Sequence, residues 1–257
     1  MTAWTNTSSS GASTAPAQQP LFIAGKPGAT DISGIVLWSP TARSLVQFGG
    51  GGGTVVQEAM RTATTCYHRG LSEHLRIQTN SPAPWLWRRI CFCSKDPIYE
   101  QYSPQDTPTT GSFTVVETSN GYKRAAINLT VNNVPNSVNN ILDQLFKGKQ
   151  GIDWTDHMLA HVDTRRVDLK YDKTTRLASG NQSGSFREKK LWHPMNKNLV
   201  YNDDETGEAE ESNPFSVRDK QGMGNYYVMD LFSSGIGATG SDLLAVQYNA
   251  SQYWHEK

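Results

Sequence analysis

Few stretches of this 257-residue chain place reactive side chains at a spacing that chemistry can use. His157-Met-Leu-Ala-His161 sets two imidazoles four residues apart, which on a helix would present two metal ligands on one face. A zinc protease needs Glu beside the first His, yet Met158 stands there and no third ligand is evident. A surface or interface turn is the expected reading. The run from Asn202 holds six carboxylates in ten residues, from Asp203 to Glu211. It lacks the alternation of a calcium loop and reads as a solvated loop, with a cation held between subunits as the weaker alternative. Ser183-Gly and Ser234-Gly have neither the glycine context of a nucleophile elbow nor an assignable base. Gly25-Lys-Pro-Gly has the wrong spacing for a phosphate loop. No catalytic residue, metal site or cofactor is expected.

Basic side chains interleaved with aromatics form the better signal, because cations neutralise phosphates while rings stack on bases. Trp85-Leu-Trp-Arg-Arg and Phe186-Arg-Glu-Lys-Lys-Leu-Trp-His are the densest such stretches, and Arg61, Arg69, Arg76 and Arg124 extend them. Arg88, Arg89, Arg187, Lys189 and Lys190 are the candidate DNA contacts. On a strand, Trp85, Trp87 and Arg89 share one face, and Leu86, Arg88, Ile90 and Phe92 the other. Trp and Arg are favoured anchors between subunits, so an interface is the first expectation for Trp85 and Trp87 and a DNA-lined cavity the second. Charge is also segregated. Residues 147–200 carry eleven Lys and Arg against six acids, whereas 201–219 carry seven acids against one Arg. Arg165 and Arg166 are therefore candidates to pair with Asp203, Asp204 and Glu205 of a neighbouring copy. Two unrelated solvated loops would give the same pattern.

The elements that position these residues read as strands. Apolar runs rich in Val, Ile, Thr and aromatics recur about every dozen residues, as expected of an all-β sandwich or barrel. They are Ile32–Ser39, Ser44–Phe48, Thr54–Met60, Leu71–Thr79, Trp85–Cys93, Ser112–Thr118, Tyr122–Val131, Val167–Tyr171, Phe186–Trp192, Asn198–Tyr201, Tyr226–Leu231 and Leu243–Tyr253. Gly49–Gly53 reads as a loop. The spacing of Val138, Ile141, Leu142, Leu145 and Phe146 predicts one short helix in a connection, capped by Ser137 and ended by Gly148. Residues 1–20, rich in Ser, Thr, Ala, Gln and Pro, are expected to be a disordered arm before a jelly-roll domain over 21–257. That N-terminus does not resemble a secretory signal, and no run nears the roughly 18 apolar residues of a membrane span. Cys66, Cys91 and Cys93 are an odd set, expected as small buried hydrophobes in a reducing compartment. With 24 basic and 24 acidic residues the chain is neutral, which permits self-association.

Six blocks, in matching order from about residue 70 onward, resemble the coat proteins of genomoviruses, DNA viruses typified by those of fungi and related to plant geminiviruses. They are Trp-Leu-Trp-Arg-Arg-Ile-Cys-Phe (85–92), Val-Asp-Thr-Arg-Arg-Val-Asp-Leu-Lys-Tyr-Asp-Lys-Thr-Thr-Arg (162–176) and Ser-Gly-Asn-Gln-Ser-Gly (179–184). The others are Leu-Trp-His-Pro-Met-Asn-Lys-Asn-Leu-Val-Tyr-Asn-Asp-Asp-Glu (191–205), Gly-Met-Gly-Asn-Tyr-Tyr-Val-Met-Asp-Leu-Phe (222–232) and Tyr-Trp-His-Glu-Lys (253–257). The resemblance implies a single jelly-roll domain, an icosahedral shell of sixty copies and encapsidation of circular single-stranded DNA, with assembly in the host nucleus. Neither a membrane nor a small-molecule substrate is expected as a partner. One departure matters: coat proteins of this group begin with an arm dense in Lys and Arg, and the first 25 residues here contain none. Either such an arm has been removed, or the lineage condenses DNA by its inner surface alone. Fewer neutralised phosphates mean weaker binding, so particles are expected to be empty or partly filled. The rival readings are a carbohydrate-binding β-sandwich, whose exposed Trp and Tyr would stack on sugars, and a hydrolase on a β scaffold, for which no nucleophile is found.

Overall fold

The computed structural model describes residues 1–28, 30–46, 59–207 and 209–256. The Gly49–Gly53 loop and most of the Thr54–Met60 run lie outside them. In chain order the first strands are β1 (Ala3–Thr7), β2 (Ser13–Ala17), β3 (Leu21–Ala24), β4 (Gly34–Trp38), β5 (Thr65–Thr79) and β6 (Trp85–Ser94). Then come β7 (Val116–Thr118), β8 (Gly121–Ala125), the helix α1 (Pro135–Leu145), β9 (Asp168–Leu177) and β10 (Phe186–Val200). The chain ends with β11 (Asp204–Thr206), β12 (Ala209–Glu211), β13 (Asn225–Ser234) and β14 (Leu243–Glu256). The expectation of a mostly β chain with one helix in a connection holds.

Eight of these strands make two four-stranded sheets, ordered β10-β5-β14-β3 and β4-β13-β6-β9, with antiparallel pairing throughout. Their inner faces supply one cluster of Leu21, Ile23, Val36, Leu75, Ile77, Trp85, Trp87, Phe232, Leu244 and Val246. A third sheet, β2-β1-β8-β7, lies against β3, β4 and β14. In it β1 runs parallel to β8, and Met1 exchanges backbone hydrogen bonds with Ala250 of β14. The disordered arm expected over 1–20 is corrected here. Thr5, Asn6 and Thr7 are fully buried, and Asn6 donates to the Asn128 carbonyl while accepting from the Asn128 amide. Composition signals only that a segment is polar; these polar groups find partners inside the fold.

The two sheets differ in what covers their outer faces. Beyond β4-β13-β6-β9 lies a second cluster, in which Ile35, Leu37, Ile90, Phe92, Tyr227, Met229 and Leu231 meet Ile141, Leu142 and Leu145 of α1. Every residue of β13 is consequently buried. The helix is capped at Val134, three residues before Ser137, and ends at Leu145, short of Gly148. Pro135 sits in its first turn, where a missing N–H costs nothing, and Asp106 from a neighbouring loop accepts from the Asn136 and Ser137 amides at 3.1 and 2.7 Å. Asp106 thus does what Ser137 was expected to do. Among the described residues the outer face of β10-β5-β14-β3 has no such cover, and β5 and β14 alternate buried and exposed along most of their length.

Two runs read separately, Phe186–Trp192 and Asn198–Tyr201, belong largely to the single strand β10. Pro194 suggests a break, but β10 is an edge strand, where a residue without an N–H is tolerated. Ser44–Val46 is not a strand. At one end of the sandwich four connections converge: Gly25 N–H bonds the Asp242 carbonyl at 2.8 Å, Gly235 N–H the Pro84 carbonyl at 2.7 Å, and Thr79 N–H the Ser185 carbonyl at 3.0 Å. Gly184 in this cluster has φ +81° and a Cβ there would lie 2.0 Å from the Thr79 carbonyl oxygen, so only glycine fits.

Candidate nucleic-acid and assembly surfaces

Strand alternation places Trp85, Trp87 and Arg89 on one face of β6, as expected, but that face looks into the sandwich. All three are buried. Arg89 donates through Nε and Nη2 to the two oxygens of Asp230, each at 2.8 Å, and through Nη1 to Glu73. Arg124 of β8 reaches the same two acids, at 3.0 Å to Asp230 and 3.4 Å to Glu73. Trp87 Nε1–H completes the Asp230 shell at 2.8 Å. Two guanidinium groups and two carboxylates thus cancel between the sheets, and the Arg124 guanidinium lies 4.0 Å from the Tyr248 ring centre and 4.7 Å from that of Trp38. Burial alone raises a carboxyl pKa, but Arg89 and Arg124 outweigh it and hold Asp230 below the usual range.

This arrangement corrects three assignments. Arg89 cannot offer its charge to DNA, and Trp85 and Trp87 fill the core rather than an intersubunit surface. Arg88 points the other way, as alternation requires, yet it too is covered. Its Nε and Nη2 bind Asp172 at 2.8 and 2.6 Å, and its Nη1 donates to the His157 carbonyl at 2.7 Å. A strand sheathed on both faces leaves no cation for a phosphate. The partner acids lie 16 to 141 positions away in sequence, and no local pattern announces them.

The acidic run is also partly internal. Asp203 grips the buried Arg61 guanidinium at 2.5 and 2.6 Å, and Arg61 stacks 3.8 Å from the Tyr201 ring centre. Asp203 is therefore not available to Arg165 or Arg166 of another copy. Asp204 is exposed, and of Glu205 only the backbone, in β11, is described. Arg165 is exposed, while Arg166 pairs with Asp163 at 3.3 Å and donates to the Asp143 carbonyl at 2.7 Å. His157 lies in a turn and His161 just beyond it, neither on a helix; the His157 ring packs against Trp154 at 5.2 Å. The three cysteines are buried and unpaired. Burial pushes each thiol up to about 12, which makes them inert.

What remains accessible gathers on the uncovered face of β10-β5-β14-β3. Register sets Phe186, Glu188, Lys190 and Trp192 of β10 beside Gln78, Arg76, His74 and Ser72 of β5. The same rows continue to Gln247, Asn249 and Ser251 of β14, with Tyr253 at the end. Phe186, Trp192 and Tyr253 are each more than half exposed. The Trp192 and Tyr253 rings lie 5.9 Å apart, and the Arg76 guanidinium sits 5.7 Å from the Phe186 ring centre. Trp192 can approach the sheet here because residue 70 is glycine: a Cβ there would come within 2.7 Å of the indole. Arg69, opposite the register shifts in β10 and β14, joins Trp192, Tyr253 and His255 around one shallow cleft. Glu188 pairs with His74 at 3.5 Å. Among the described residues, neither Arg76 nor Lys190 is in an ion pair; Arg76 donates to Gln247. The three β10 candidates are split by the pleat. Lys190 lies on this face, whereas Arg187 and Lys189 share the opposite one with Ile77 and Leu75, at the sandwich edge.

Sequence reasoning found Trp192 and Lys190 within a dense stretch but missed Tyr253, Arg76 and Arg69 as their neighbours, since only register joins them. No family model matches this chain, and no curated protein matches it.

Proposed function

We propose that this chain is a viral coat protein: a jelly-roll subunit that self-assembles into a small icosahedral shell around single-stranded DNA. The jelly-roll part of this reading rests on the strand order. Numbered one to eight along the chain, β3, β4, β5, β6, β9, β10, β13 and β14 lie as 1-8-3-6 in one sheet and 2-7-4-5 in the other. That order supports the double Greek key of a jelly roll, an architecture of capsids and lectins alike. Fold does not decide between them.

Surface apolarity favours assembly. Ile236 is 82% exposed at the end where four connections converge, and Ile152 and Leu159 are 79% and 77% exposed on the connection that follows α1. Exposed aliphatic side chains gain free energy when buried against a neighbouring copy, and zero net charge removes long-range repulsion between copies. The six ordered blocks point the same way. Virion and host nucleus are the proposed locations, and no catalytic step is assigned. Sedimentation and negative-stain electron microscopy across salt and pH test the reading: closed particles of uniform diameter are expected, and a species that remains monomeric throughout overturns it.

A carbohydrate-binding role has one observation in its favour, the exposed Trp192 and Tyr253 beside a shallow cleft. It predicts glycan-dependent binding by a monomer.

A further inference from the structure

We infer that the uncovered face of β10-β5-β14-β3 is a binding track for single-stranded DNA, with Trp192 and Tyr253 as the base-stacking end and Arg69, Arg76 and Lys190 as the phosphate contacts. The inference deepens the coat reading, on which it rests for its consequence that this sheet faces the inside of the shell. Three features of the face converge on such a ligand.

First, the aromatics are presented, not packed. Trp192 reaches over Gly70, with Tyr253 alongside, and both residues are more than half exposed. Rings held this way offer a π-face to any base, which makes stacking tolerant of sequence. Second, the charge is one-sided. The whole chain is neutral, yet the rows that run from Phe186 to Tyr253 carry Arg76 and Lys190 against the single acid Glu188, itself facing His74. Arg69 adds a third cation at the Trp192 end, where its Nη1 donates to Asn196 Oδ1 at 2.6 Å. Third, the layout is linear. Phe186 and Trp192 stand six residues apart on one strand, about 20 Å at the rise of an extended chain, and the cations lie between and beyond them. A flexible strand can follow that line with backbone on the cations and bases on the rings.

Other occupants fit less well. In a duplex the bases are already stacked on each other and their faces are unavailable to Trp192. A protein surface would meet aromatics separated by Gln78, Gln247, Asn249 and Ser251, without the continuous apolar centre that anchors an interface. A neutral glycan could stack on Trp192 but would leave Arg76 and Lys190 without a counter-charge.

The test uses the purified full chain and fluorescently labelled oligothymidylate, read by anisotropy, with electron microscopy of the same samples. Wild-type protein is expected to bind with a salt dependence of log Kd on log salt of about 2, from three cations on a single strand. Trp192→Ala and the double variant Arg76→Glu, Lys190→Glu are each expected to weaken binding at least tenfold, with unchanged circular dichroism. The double variant should also flatten the salt dependence. Should Trp192→Ala not fold, Tyr253→Ser and Lys190→Glu singly carry the same expectation with a smaller loss. Arg187→Glu, on the opposite face, is expected to bind as the wild type does. Binding that is unchanged in the Trp192 and charge variants overturns the inference, and shells still seen by microscopy then leave the coat reading intact. Strand binding by a protein that never assembles removes the coat reading and keeps the track. Preference for oligouridylate over oligothymidylate overturns the assignment to DNA, and binding of neutral glycans without oligonucleotide overturns the inference in favour of a lectin.

Discussion

Asp230 and Asp203 show how a charged residue in this chain acquires its role from what buries it. Each neutralises arginines that have left water, so removing the acid strands a buried cation. Asp230→Asn is expected to cost about 3–5 kcal/mol, as is Asp203→Ala, whereas Glu188→Gln, in an exposed pair, is expected to cost under about 1 kcal/mol. Urea unfolding of the unassembled chain measures all three. Asp203→Lys is accordingly expected to impair folding, not merely contacts between copies. Two histidines act in the same sense. Burial, with Arg43 nearby, lowers the His68 pKa to about 3, and burial, with Arg89 nearby, lowers that of His193 to about 4. The folded protein keeps both neutral while the unfolded chain protonates them near about 6.5. Their contribution to stability is therefore complete above that value and is lost progressively as pH falls towards 4 and below. Thermal midpoints should drop across this window, and less steeply in His68→Gln. A midpoint that is flat from pH 7 to 4 contradicts this.

At the scale of elements, β1 is the least anticipated. It pairs with β2 on one side and β8 on the other, and Met1 closes onto Ala250. Deleting residues 1–20 removes these partners and leaves Asn128 and the edge of β8 without theirs. The truncated chain is expected to lose most soluble, folded protein, whereas a flexible arm could be removed without effect; limited proteolysis and circular dichroism distinguish the two. The helix matters differently. With the rest of the 95–167 connection it sheathes one sheet of the sandwich, whereas among the described residues the other sheet keeps an outer face open to a ligand.

For the whole molecule, the two ends of the sandwich are unequal. At one, short connections are knit together by backbone hydrogen bonds, and Ile236 stands out from them. Ile236→Lys is expected to abolish particles while leaving the thermal midpoint within a few degrees of wild type, because a surface substitution away from the core costs little. Particle counts by microscopy beside the melting curve check this, and normal particles would remove Ile236 from the proposed contact. The sandwich also confines most of the basic residues of 85–89 and 124 to its interior, so net charge is a poor guide to what this protein presents outside.

Fold class was legible from residues alone, since period-two alternation in Leu75–Thr79 or Leu243–Tyr253 requires only that a strand have two faces. The helix was legible for the same reason at its own period. Which face was inside was not. Trp85, Trp87 and Arg89 were correctly placed together, yet alternation is blind to whether a second sheet or solvent lies opposite, and the answer turned three expected contacts into core. Pairings such as Arg89 with Asp230, or Trp192 with Tyr253, depend on strand order and register between segments far apart in the chain. Local sequence sets periodicity and turn chemistry; only the packing of sheet on sheet decides which charges must be neutralised within and which aromatics are left for something else to touch.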